Sequence, residues 1–230
     1  GGEVTTTGAQ DYQNAVEVWK PTTTLNALDV TFAKSVNGKD ATAVNLTVNA
    51  SVGNTSANFG HATFDDTVGS SAKRIGTLIV NSMGTTTFKG DVDVGSLETD
   101  GGGTSDNKVE IQTASIKTTG MQHYGERVSL ISAAPVTLTG AGVTFADTLD
   151  GPQALTIEDS GVTTFTKEVG QGTALASLTI KDNGGTYGTV HINGGEVTTT
   201  GAQSYGNAVV LGNTTTLNAL GVNFDRTISA

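Results

Sequence analysis

Ten residues, Gly1-Gly2-Glu3-Val4-Thr5-Thr6-Thr7-Gly8-Ala9-Gln10, return unchanged at Gly194–Gln203. The match continues through Tyr12, Asn14, Ala15 and Val16 against Tyr205, Asn207, Ala208 and Val209. After a one-residue deletion, Thr22 to Leu28 match Thr214 to Leu220, and Val30 and Phe32 match Val222 and Phe224. A diverged copy lies between them, where Thr118-Thr119-Gly120-Met121-Gln122-His123-Tyr124 aligns with Thr6 to Tyr12. A second pattern fills the gaps: Leu155-Thr156-Ile157, Thr164-Phe165, Val169-Gly170 and Leu178-Thr179-Ile180 answer Leu46-Thr47-Val48, Thr63-Phe64, Val68-Gly69 and Leu78-Ile79-Val80. Tandem similarity spanning several segments means that one supersecondary unit is stacked many times. The copies at Gly8, Gly120 and Gly201 are unevenly spaced, which suggests that individual turns have been gained or lost.

Within each unit, apolar and polar residues alternate over four to six positions, as in Val44-Leu46-Val48, Val136-Leu138 and Val190-Ile192. Period-two alternation with β-branched enrichment reads as strand, and Asn37-Gly38, Asn183-Gly184-Gly185 and Asn193-Gly194-Gly195 read as turns. No helix of useful length is visible, so the class is all-β. A sandwich with duplicated halves is the alternative architecture. Tandem repeats, indels that fall between strands, and phenylalanines that recur at one place in the pattern favour a parallel β-helix, or β-solenoid. Coils of roughly 20 to 25 residues would give about ten coils and a rod near 50 Å. The expected organisation is one solenoid domain over 1–230, with repeat copies around 1–38, 108–151 and 194–230 linked by further coils.

The string Thr-Thr-Gly-Ala-Gln-x-Tyr-x-Asn-Ala-Val, followed by Thr-Thr-Thr-Leu and Val-x-Phe, resembles repeats of filamentous-haemagglutinin-like adhesins and related β-strand-repeat bacterial surface exoproteins. The resemblance implies a right-handed parallel β-helix exported to the cell surface or medium. It also implies a structural or adhesive role in a large protein, with this chain an internal segment of a longer array.

Composition removes several functions. The net charge is −10 and Lys and Arg are scattered singly, which disfavours nucleic acid. Cysteine is absent, excluding disulfides, thiolate metal sites and cysteine nucleophiles. No apolar run has the length of a membrane span. The expectation is a non-enzymatic module without cofactor, not membrane-spanning, with end-to-end self-association or a cell-surface glycan or protein as partner.

Candidate sites can be weighed one by one. Tyr12, Tyr124 and Tyr205 occupy one repeat position, after Gln10, Gln122 and Gln203; they are either packing residues or aromatic sugar platforms, and recurrence favours packing. Trp19 aligns with Gly212 and so is absent from the repeat pattern; together with Pro21 it reads as an exposed bulge, with a local contact site as the alternative that nothing else in the sequence supports. A polysaccharide-degrading β-helix needs clustered carboxylates. Asp65-Asp66, followed by Lys73-Arg74, is the nearest approach and reads as a solvated loop within the insert 54–74. His61, His123 and His191 lack zinc-site spacing. The segment 99–107, rich in Gly and Asp, does not match the calcium nonapeptide, nor does its counterpart at 181–186, and both read as turns. The triplets Thr5–Thr7, Thr22–Thr24, Thr85–Thr87, Thr198–Thr200 and Thr214–Thr216 bear on ice or carbohydrate binding, but their irregular spacing fits strand propensity better.

Overall fold

A computed structural model describes residues 2–40, 44–51, 53, 59–100, 107–184 and 188–230. Among them every regular element is a strand, and adjacent strands pair in parallel, in register apart from one shift between Val44 and Leu46. The chain winds as a three-faced β-solenoid of about ten turns. Among the described residues no helix is long and apolar enough to cross a membrane. The chain divides into two compact units, Gly1–Gln112 and Thr113–Ala230.

In the first unit, one face stacks Glu3–Thr5, Thr22–Ala27, Val44–Ala50, Ile75–Ser82 and Val92–Thr99. A second face stacks Gln10–Tyr12, Val30–Phe32, Ala62–Phe64, Thr85–Phe88 and Lys108–Ile111. The third face pairs Val16–Val18 with Val36–Gly38 and continues as single bridges through Val68 and Val92. The second unit repeats this plan. Its first face carries Ser115–Thr118, Val136–Gly140, Ala154–Asp159, Ser177–Lys181, Ala202–Tyr205 and Gly221–Phe224. Its second face runs from Gln122–Tyr124 through Val143–Phe145, Val162–Phe165, Thr189–Ile192 and Ala208–Leu211 to Ile228–Ser229.

Alternation sets which side chains enter the core. Along Val44–Ala50, Val44, Leu46, Val48 and Ala50 are buried while Asn45, Thr47 and Asn49 lie at the surface. Because coils stack in register, each inward position becomes a column: Leu25, Val48 and Val80 align, as do Leu138, Ile157 and Ile180. Burying each such side chain contributes roughly 1.5–3 kcal/mol. Aromatic residues form the same kind of column. Tyr12, Phe32, Phe64 and Phe88 stack at 5.1, 5.1 and 5.2 Å between centroids, and Tyr124, Phe145 and Phe165 at 5.2 and 5.5 Å. These separations follow the strand spacing of about 4.8 Å, with the rings slightly offset. Outside, Asn49 Nδ2 donates to Asn26 Oδ1 (2.7 Å) and Asn81 Nδ2 to Asn49 Oδ1 (2.8 Å), an amide ladder on the first face.

Coil length varies because corners absorb insertions while strands keep register. The step is 19 residues from Val190 to Val209 and 32 from Leu46 to Leu78. The second sequence pattern corresponds to one complete turn: Leu46, Phe64, Val68 and Leu78 visit the first, second, third and again first face. Leu155, Phe165, Val169 and Leu178 do the same. The glycines of its Val-Gly step are obligatory. Gly69 and Gly170 both sit at φ +72, and a Cβ there would lie 2.1 Å from Asp93 O or 2.2 Å from Thr198 O. Side chains are strained at such a φ and the space is already filled.

The repeat copies do not all return to the same face. Within the second unit, Gln122–Tyr124 lies on the second face and pairs with Val143–Phe145. Gln203–Tyr205 instead stacks on Leu178–Ile180 of the first face. The later copy is therefore offset by a fraction of a turn, onto a neighbouring face, as well as by whole turns. A motif can do this only if its interactions are confined to one corner and the coils beside it.

Candidate functional site

The most repeated chemistry in the chain is the Thr-x-Gly-x-Gln-x-Tyr corner, built the same way in each copy. The threonine hydroxyl donates across the turn to the glycine carbonyl: Thr6 to Gly8 O (3.0 Å), Thr118 to Gly120 O (2.7 Å) and Thr199 to Gly201 O (2.9 Å). The glutamine turns inward and its amide holds two backbone carbonyls. Gln122 Nε2 donates to Ile116 O (3.3 Å) and to Thr139 O of the next coil (2.9 Å). Gln203 Nε2 donates to Val197 O (3.0 Å) and Asn218 O (3.1 Å), and Gln10 Nε2 to Val4 O (3.2 Å) and Asn26 O (3.0 Å). Each tyrosine hydroxyl then donates to its glutamine Oε1, at 2.8, 2.9 and 3.0 Å for Tyr12, Tyr124 and Tyr205.

The corner is therefore a closed polar circuit inside an apolar core, where an unpaired group would be costly. Tyr124 and Tyr205 are fully buried, and burial pushes both phenols well above the ordinary tyrosine range. Tyr12 is half-buried and shifted in the same direction. Buried rings stacked on Phe145 and Phe224 present no face to a sugar. Their position serves packing between coils.

Trp19 is the opposite case, 60% exposed at the corner after Val16–Val18. Its Nε1 donates to Glu17 Oε2 (2.8 Å), and Lys39 Nζ stands 4.6 Å from the ring centroid. Lys73 Nζ reaches Glu17 Oε1 at 2.7 Å from 56 residues away. The hydrogen bond from Lys73, then that from Trp19, holds the Glu17 carboxyl below its usual range. Beside this cluster a concavity of about 310 Å³ is lined by Val4, Tyr12, Val16, Val18, Trp19 and Leu25, among others. Its walls are mainly inward-facing residues of the first coils.

Other sequence candidates separate in space. Asp65 pairs with Lys89 (2.6 Å), Lys73 with Glu17, and Arg74 with Asp93 (2.5 Å). Asp65, Lys73 and Arg74 thus enter three different ion pairs, and Asp66 Oδ1 accepts the Thr67 amide (2.7 Å), so the four do not meet in one acidic–basic patch. His61 Nδ1 accepts the Thr85 amide at 2.9 Å, while His123 and His191 lie on the second face of the other unit, outside its core. Among the described residues no three His, Asp or Glu side chains come together as a metal site. The loop candidate at 99–107 falls largely outside the described residues, as do residues 185 and 186 of its counterpart.

The threonine triplets do not form a two-column Thr-x-Thr lattice: Thr22 and Thr24 align with Asn45 and Thr47, Thr87 with Thr63 and Glu110, and Thr198 with Asn218. One outward column of hydroxyls does persist, through Ser115, Thr137, Thr156, Thr179 and Ser204. The residues that sequence reasoning missed are the buried glutamines, because Gln is ordinarily a surface residue; their fixed place two residues before tyrosine was the available signal. Comparison with known proteins gave no matching family model, no matching curated protein and no matching solved structure.

Proposed function

We propose that the chain is a structural and adhesive repeat module of a large secreted or cell-surface bacterial protein. It acts mechanically, as a stiff stack of coils that displays outward surfaces and builds a filament, and it carries out no reaction. The observation that carries this reading is where the repeat spends its chemistry. Gln-x-Tyr, the Thr-to-Gly turn, the phenylalanine columns and the Val-Gly step all bind one coil to the next. A repeat that preserved a reaction or a ligand would keep polar groups aimed outward at a common point; this one keeps them in the stack. Trp19 and the hydroxyl column are the surfaces left for display. The reading also draws on the resemblance to filamentous-haemagglutinin-like repeats.

The test is a labelled preparation of the chain screened against bacterial cells and a glycan array, together with assays for reducing-sugar release and thermal hysteresis. Saturable binding to cells or one glycan class, without sugar release, is the expected result. Release of reducing ends from a polysaccharide would overturn the reading in favour of an enzyme. Thermal hysteresis would overturn it in favour of ice binding on the hydroxyl column.

A further inference from the structure

At the corner between the first two faces of the first unit, successive coils are joined by amide-to-carbonyl bonds. Val30 N donates to His61 O (2.9 Å), Gly84 N to Gly60 O (2.9 Å) and Lys108 N to Gly84 O (3.1 Å). Thr85 departs from this pattern. Its amide donates to a side chain, His61 Nδ1, at 2.9 Å and across 24 residues of chain. The histidine is fixed from two further directions. Its own amide donates to Asp29 Oδ1 (2.9 Å), on the coil before. Its ring lies against Gly84, where a Cβ would come within 2.7 Å of His61 Cε1 and 2.8 Å of Nδ1. Asp29, His61 and Thr85 thus join three successive coils, immediately before the aligned residues Val30, Ala62 and Thr86.

We propose that His61 is a proton-operated clasp, which holds Thr85 when neutral and turns to Asp29 when protonated. Nδ1 accepts an amide only as a bare nitrogen, so the holding ring is neutral and carries its hydrogen on Nε2. Protonation places a second hydrogen on Nδ1, opposite the Thr85 N–H, and two donors then face each other with no acceptor between them. The residue is exposed, so its proton comes directly from solvent. The charged groups around it decide where the imidazolium goes. One coil beyond Thr85, Lys108 is in register with it, but its Nζ is held by Glu110 at 2.7 Å. Further along the strand of His61, Asp65 is held by Lys89 at 2.6 Å. Asp29 is the carboxylate left beside the ring, tethered there by the His61 amide. The Thr85 bond is therefore present above the titration of His61 and lost as pH falls through it. What opens is the first residue of Thr85–Phe88, the strand that carries Phe88 of the aromatic column.

The experiment is heteronuclear NMR of the 230-residue chain from about pH 8 to about pH 5, with His61→Asn and His61→Ala as variants. Ring nitrogen shifts report the tautomer and titration of His61, and hydrogen exchange reports the protection of the Thr85 amide. Asparagine places an oxygen near the position of Nδ1 and does not titrate; alanine removes the acceptor. His61 is exposed, so both variants are expected to fold, as circular dichroism verifies. In the wild type, the hydrogen should sit on Nε2 at the upper end of the range. Thr85 protection should then fall roughly tenfold in step with the His61 titration, the ratio that one hydrogen bond supports. His61→Asn should keep that protection throughout, and His61→Ala should lack it throughout. A neutral ring with its hydrogen on Nδ1, Thr85 protection that ignores the His61 titration, or a pH-dependent Thr85 in His61→Asn would each overturn the clasp. No ligand enters these measurements, so they stand apart from the tests of the module reading.

Discussion

Gln122→Val is the substitution that most sharply separates a packing role for the Gln-x-Tyr corner from any other. The next coil already carries the alternative, because Gln122 and Tyr124 are in register with Val143 and Phe145. Removing the glutamine alone strands the Tyr124 hydroxyl in a fully buried site. That costs about 1–3 kcal/mol, and loss of the amide bond to Thr139 O adds about 0.5–1.5 kcal/mol. The single variant is therefore expected to lose about 2–4 kcal/mol. Tyr124→Phe alone loses one bond and leaves Gln122 Oε1 unpartnered, for about 1–2 kcal/mol. In the double variant both partners go together and the corner becomes Val-x-Phe, so it should be no less stable than Gln122→Val alone. The resulting coupling is about 1–3 kcal/mol. Guanidinium unfolding followed by circular dichroism, with hydrogen exchange of the Gln122–Tyr124 amides as a local reading, measures it. Additivity of the two single changes within about 0.5 kcal/mol would refute the closed-circuit reasoning.

Phe145→Ala removes the middle ring of a three-ring column and should cost about 3–5 kcal/mol, read as a shift in the guanidinium midpoint. Gly170→Ala forces a Cβ to 2.2 Å from Thr198 O at φ +72, so it should cost at least about 1–2 kcal/mol from the backbone alone and lower the melting temperature. Tyr124 and Tyr205 have raised folded-state values, so their contribution is complete below the ordinary value of 10.0 and stability falls as pH climbs past it. Phenolate absorbance should show these two tyrosines ionising only as the chain unfolds. Glu17 is lowered, so its links to Lys73 and Trp19 hold above the usual carboxylate range and are lost as pH falls through its depressed value. Fluorescence of Trp19, the single tryptophan, should change over that acid range and not between neutral pH and the onset of carboxylate titration.

Much of the stacking was legible because it depends on short-range pattern. The alternation Val44-Leu46-Val48 states which residues enter the core, and the recurring Val-Gly step marks a corner that only glycine can turn. Tyr12 and Phe32 are 20 residues apart and share a column, a spacing that identifies tyrosine as a phenylalanine with one polar attachment. What the sequence could not reveal depends on coil length. The pairing of Lys73 with Glu17 requires the size and path of the insert between Ala50 and Ala62. The slip of the last copy onto a neighbouring face requires counting corners, and corners vary between coils without disturbing the strands. Trp19 was readable as exposed from its lack of a repeat partner, whereas its contact with Lys39 was not, since it joins residues of successive coils.

Cysteine cross-linking tests the central claim most directly, that each recurring position is one rung of a parallel, in-register stack. The chain has no cysteine, so engineered pairs are read without background. Thr144 and Thr164 point outward on adjacent strands and are direct partners, at the Cα separation of about 4.4–6.8 Å that a disulfide spans. Thr144 and Thr156 are nearer in sequence but lie on different faces. Thr144→Cys/Thr164→Cys is expected to oxidise readily with the circular dichroism of the fold intact, while Thr144→Cys/Thr156→Cys stays reduced within the monomer. Linkage of the second pair and not the first would contradict the stack and every assignment built on its register.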